Sequence, residues 1–100
     1  MPLITLPIRI LVVEDETFIR MDAAEMLGAA GFDILEAASA DEAIQMLERD
    51  FDIRLLFTDI DMPGSMNGLK LAAAVRDRWP PVGIIATPGS SPSPTNRRKS

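Results

Sequence analysis

The chain is predicted to be an α/β protein, a doubly wound parallel sheet clothed by helices on both faces in a three-layer α/β/α arrangement. Three observations predict it. Short unbroken apolar runs such as Ile10-Leu11-Val12-Val13 and Leu55-Leu56-Phe57 read as strands buried on both faces. The stretches between them repeat their apolar residues at helical spacing. Two of the runs close on acids, Glu14-Asp15-Glu16 and Asp59-Ile60-Asp61, at the carboxyl ends where open α/β sheets place their ligands.

Each element follows from its residues. Ile8 to Val13 reads as a first strand. From Thr17 onward Ile19, Ala23, Met26, Leu27 and Ala30 recur with helical period, and Gly31 stands where a helix stops. Phe32 to Ala37 is a short second strand. Ser39-Ala40-Asp41-Glu42 has the form of a capping box and opens a helix through Ala43, Ile44 and Leu47 to Arg49. Ile53 to Thr58 is the third strand. A loop, Met62-Pro63-Gly64-Ser65-Met66, leads to Asn67 as N-cap of a third helix bearing Leu69, Ala72, Ala73 and Val75, which ends at Trp79 before Pro80-Pro81. Val82 to Thr87 is the fourth strand. Strands alternating with helices imply right-handed βαβ units and a parallel sheet.

Composition narrows the function. One hundred residues make one domain, assigned to residues 1–88. Residues 89–100 are a Pro/Ser-rich basic tail without an aliphatic or aromatic side chain, expected to be disordered. The net charge is −5, and the tail bases Arg97, Arg98 and Lys99 leave the body more acidic still, which disfavours direct nucleic-acid binding. There is no cysteine and no histidine, which excludes disulfides, thiolate sites, ordinary zinc sites and His-based catalysis. Neither a signal peptide nor a membrane span is expected, and the chain reads as cytoplasmic.

Carboxylates ending two strands can meet in one crevice, where their repulsion requires a cation or a proton. That suits Mg²⁺ and phosphoryl chemistry. In isolation each residue has a plainer reading. Glu14, Asp15 and Glu16 could be acids complementing a helix start. Asp59 and Asp61 could be turn residues before Pro63-Gly64, and Thr87 a β-branched strand residue. Glu16 is assigned to the helix start or to the neighbourhood of the site, not to the site itself. Met26, Met46, Met62 and Met66 read as core or loop packing, and Trp79 as the closure of its helix, with an interaction surface as the alternative.

Taken together, Glu14-Asp15, Asp59, Met62-Pro63, Gly68 and Thr87 resemble, in order and placement, the receiver domain of two-component response regulators. The likeness covers about residues 8–90. It implies a flavodoxin-like sheet of strand order 2-1-3-4, with the family's fifth strand missing. It implies that Asp59 accepts a phosphoryl group from a phosphohistidine on a sensor histidine kinase or histidine phosphotransfer protein. It further implies that Glu14, Asp15, Asp59 and the main-chain carbonyl of Asp61 hold Mg²⁺, and that Thr87 binds the phosphoryl group as a switch. On this reading the chain is a single-domain phosphorelay protein and not a classical enzyme.

Two departures stand out. One extra residue separates Asp59 from Gly68, with Ser65 the candidate. The family's closing strand with its Lys-Pro and its last helix are not found, and Lys99, followed by Ser100, does not replace that lysine. Uncovering roughly 400 Å² of apolar sheet forfeits about 10 kcal/mol at about 25 cal/mol per Å², an upper figure. The chain is therefore expected to be marginal alone, or to self-associate through the bare face or edge. Two alternatives compete. One is a phosphorylation-deficient interaction module. The other is a phosphatase resembling the haloacid dehalogenases, with Asp59 as nucleophile and Asp61 as general acid.

Overall fold

The computed structural model describes residues 7–60 and 67–87. In chain order these form β1 (Arg9–Val13), α1 (Thr17–Ala29), β2 (Asp33–Ala37), α2 (Ala40–Arg49), β3 (Ile53–Asp59), α3 (Gly68–Arg78) and β4 (Gly83–Thr87). All four strands are parallel, in the order β2-β1-β3-β4. The chain steps outward from β1 to β2 and then back across to β3. The carboxyl ends of β1 and β3 thus flank the switch point of the sheet, where a crevice opens.

The helix boundaries obey the local chemistry. Gly31 takes a left-handed φ of 101°, which ends α1 at little steric cost. Ser39 Oγ accepts the Glu42 N–H at 3.1 Å, and Glu42 Oε1 accepts the Ala38 N–H at 2.8 Å. This is the expected capping box, with its return bond one residue earlier than the usual pattern. Asn67 Oδ1 accepts the Lys70 N–H at 3.0 Å and caps α3. Trp79 is the C-cap of α3, packs against the core, and carries the Arg78 guanidinium 4.4 Å from its ring centroid.

The two faces of the sheet differ. On one, Leu11 and Val13 of β1 and Leu56 of β3 are fully enclosed with Ala43 and Leu47 of α2 and Leu71 and Val75 of α3. On the other, Ile10 and Val12 are buried, yet no residue of α1 is. Met26, expected in the core from its helical spacing, is 67% exposed, and Ile85 of β4 is 47% exposed. The physical reason is placement: α1 packs over β1 and β2, and among the described residues nothing covers the α1-side face of β3 and β4. Met46, by contrast, packs against the core as expected, while Met62, Ser65 and Met66 lie outside the described residues.

Candidate functional site

Strand alternation builds the site. Parallel register sets Val13 beside Thr58 and Asp59 beside Thr87, so the residue following Val13 arrives alongside Asp59. Side chains two apart share a face. Val12 and Glu14, Phe57 and Asp59, and Thr87 accordingly line one hollow on the α1 side, together with Ile19, Asp22 and Met26. Its floor is apolar and its carboxyl-end rim acidic. Carboxylate oxygens of Glu14, Asp15 and Asp59 all lie within 4.8 Å of one another. Glu14 and Asp59 are buried and Asp15 is exposed, so the cluster has two walls and an open side.

Glu14 is held tightly. Its N–H donates to the Ala37 carbonyl at 3.1 Å, and its Oε2 accepts the Glu16 N–H at 2.9 Å. Burial pushes its carboxyl up from 4.5 to about 7; the side chains of Asp59 and Asp15 add to the rise, and the Glu16 N–H opposes it. A carboxyl so placed is poised to exchange its proton for a cation near neutral pH. The donor set is all oxygen and acidic, the hard type that suits Mg²⁺.

Gly68 completes the wall behind Asp59. A Cβ at this position would run into the Asp59 main-chain carbonyl and would stand 2.6 Å from Ile60 Cα. The start of α3 therefore presses its backbone directly against the strand end that carries Asp59, and only glycine permits that approach. The Ile60 N–H donates to the Thr87 carbonyl at 3.1 Å, which extends the β3–β4 ladder beyond Asp59. Thr87 Oγ1 turns back toward the Thr58 carbonyl, a long contact at 3.4 Å.

Of the residues expected from the sequence, Glu14, Asp15 and Asp59 converge, and Thr87 lines the same hollow beside Asp59. Asp61 lies outside the described residues. Glu16 is the N-cap residue of α1 and, through its N–H to the Glu14 carboxylate, a neighbour of the cluster. Arg20 was missed by the sequence reading. Its Nη1 donates to the Glu14 carbonyl at 3.0 Å and its Nε to Glu36 Oε1 at 3.2 Å. A lone base amid Asp15, Glu16, Asp22 and Glu25 was the available signal.

Comparison with known proteins gives a consistent result. The family model described as the response regulator receiver domain matches residues 10–98. The aerobic respiration control protein ArcA of Escherichia coli is 41% identical over 69 residues, covering 69% of this chain but only 28% of ArcA. The chemotaxis protein CheY1 of Helicobacter pylori is 36% identical over 86 residues, covering 81% of this chain and 68% of the relative. Among solved structures, the response regulator TrrA of Thermotoga maritima, in complex with Mg²⁺ and BeF, aligns with a TM-score of 0.73. It is 36% identical, over 78% of this chain and 66% of that one. A receiver protein of Pseudomonas putida aligns at 0.76 with 29% identity, over 85% and 69% of the two chains. None of these matches supports the phosphatase alternative. Among the described residues no helix is long and apolar enough to cross a membrane.

Proposed function

Since the chain belongs to the response regulator receiver family of two-component signalling, we propose that Asp59 is its phosphoacceptor and that Glu14, Asp15 and Asp59 form its Mg²⁺ site. One observation carries the reading: three carboxylates from the ends of two strands stand within 4.8 Å of one another. By family resemblance the main-chain carbonyl of Asp61 joins them as a fourth protein ligand. Held by these residues, Mg²⁺ would offset the repulsion among the clustered carboxylates and the negative charge of the transferring group.

The chemistry of the chain's own residues is then simple. A carboxylate oxygen of Asp59 attacks the phosphorus of a phosphohistidine. The new O–P bond forms as the P–N bond breaks, and the departing imidazole nitrogen takes a proton from solvent. Burial of Asp59 limits the access of competing water. Thr87, one strand over in register, offers its hydroxyl to a phosphoryl oxygen on giving up its long contact to Thr58. Such movement at the end of β4 passes the signal to the adjoining surface. On this reading the chain is itself the acceptor of the group and takes part in its own phosphotransfer, so it acts as a phosphoacceptor and not as a classical enzyme.

The partner on this reading is a sensor histidine kinase or a histidine phosphotransfer protein in the cytoplasm, with no direct contact to nucleic acid or membrane. Self-association through the bare α1-side face or the β4 edge belongs to the same proposal. The test is incubation with acetyl phosphate and Mg²⁺ followed by intact mass. One phosphoryl adduct is expected on the native chain and none on Asp59→Asn. An adduct that persists in Asp59→Asn overturns the assignment, as does a folded native chain that takes no label.

A further inference from the structure

Arg20 sits in the first turns of α1, yet its side chain folds back over the end of β1. Nη1 donates to the main-chain carbonyl of Glu14 at 3.0 Å, while Nε donates to Glu36 Oε1 on β2 at 3.2 Å. The Arg20 side chain is only 16% exposed, whereas that of Glu36 is 40% exposed. The carbonyl it grips belongs to the peptide bond joining Glu14 to Asp15. The orientation of that peptide fixes ψ of Glu14 and φ of Asp15, and so the directions of both side chains. Neighbouring bonds leave this as the free hinge: the Glu14 N–H is tied to Ala37, and the Glu16 N–H to the Glu14 carboxylate.

We propose that Arg20, braced by Glu36, is a positioning residue for the metal site, locking the Glu14–Asp15 peptide so that both carboxylates face Asp59. The inference rests on the Mg²⁺ reading of that cluster. A fork of planar donors suits the task, because one guanidinium reaches the Glu14 carbonyl just past β1 and a carboxylate on β2 together. Charge alone predicts the reverse. A fixed cation beside the site repels a second cation, so removing it for Coulombic reasons tightens Mg²⁺ binding. The sign of the effect separates positioning from electrostatics.

The experiment is calorimetric Mg²⁺ titration of the full chain as native protein, Arg20→Met, Glu36→Ala and Glu36→Gln, each with its unfolding transition recorded. Arg20→Met is expected to weaken Mg²⁺ binding about tenfold, the low end for partners that orient metal ligands. Glu36→Ala is expected to weaken it about threefold and Glu36→Gln scarcely at all, because the amide oxygen still accepts from Nε. Those two variants carry the same charge, so their difference reports the bracing side chain and not its charge. Should Arg20→Met fail to fold, the Glu36 pair decides, since Glu36 is part-exposed and outside the core. Unchanged or tighter binding in folded Arg20→Met, or equal loss in both Glu36 variants, overturns the positioning role only. A folded native chain that binds no Mg²⁺ overturns the site reading and this proposal together.

Discussion

At the scale of single residues, the backbone is drawn closely around the acids. Gly68 is the sharpest case, because a methyl group there has only main-chain atoms of Asp59 and Ile60 to push against. Gly68→Ala is expected to cost about 1–3 kcal/mol, the range for overpacking, and to abolish labelling of Asp59 in protein that remains folded. Denaturant unfolding and intact mass check the two parts. Glu14 supplies a pH signature. Its carboxyl is raised from 4.5 to about 7 in the fold, so between those values the folded state holds more proton than the unfolded. Its contribution to metal-free stability is therefore full below about 4.5 and is lost as pH rises to about 7. Glu14→Gln should remove that slope, measured as the difference between the two proteins across the window, and saturating Mg²⁺ should flatten it in the native chain. A slope identical in both proteins counts against the raised carboxyl. The acids themselves were legible in the sequence, because an apolar run that stops at a carboxylate marks a strand end. Arg20 was not, since helical spacing says which side of a helix a residue occupies but not that a long side chain doubles back to a neighbouring strand.

At the scale of elements, caps decide where helices begin, and only one of the two side-chain caps adjoins the chemistry. Ser39 caps α2 and Asn67 caps α3. Ser39→Ala and Asn67→Ala should each cost about 1 kcal/mol in denaturant unfolding. Only Asn67→Ala should also slow acetyl-phosphate labelling, because Asn67 sets the turn that seats Gly68 against Asp59; equal labelling rates would detach α3 from the site. All seven elements and their order were readable from periodicity, with boundaries displaced by a residue or so where fraying and capping compete. Met26 was misread for an instructive reason. Its spacing correctly joined it to the apolar side of α1, but periodicity reports a side chain's direction and not whether an opposing surface exists. The loop carrying Asp61, Met62 and Ser65 lies outside the described residues.

At the scale of the whole molecule, the described residues close the sheet on one face and leave the other open over β3 and β4. The face covered by α2 and α3 encloses a continuous core, while Phe57 and Met26 border an apolar hollow beside the acids and Ile85, the register partner of Phe57 on β4, is exposed. β4 is an edge strand among the described residues, and its sequence Gly83-Ile84-Ile85-Ala86-Thr87 has none of the charges that usually protect such an edge. The chain is expected to self-associate as its concentration rises in sedimentation. Ile85→Lys should shift it toward monomer, whereas a monodisperse, cooperatively unfolding native monomer would contradict the expectation. The family and strand order were legible because strand ends and their acids appear in sequence order; the extent of the open face emerged only from how α1 sits.

One measurement bears most directly on the claim that folding gathers acids from two strand ends around a single cation: Mg²⁺ titration followed by backbone amide resonances. Glu14, Asp15 and Asp59 should shift together along one binding curve, and Asp15→Asn should weaken the response at both strand ends in parallel. Shifts confined to one strand end, or two ends that titrate with unrelated midpoints, would contradict it.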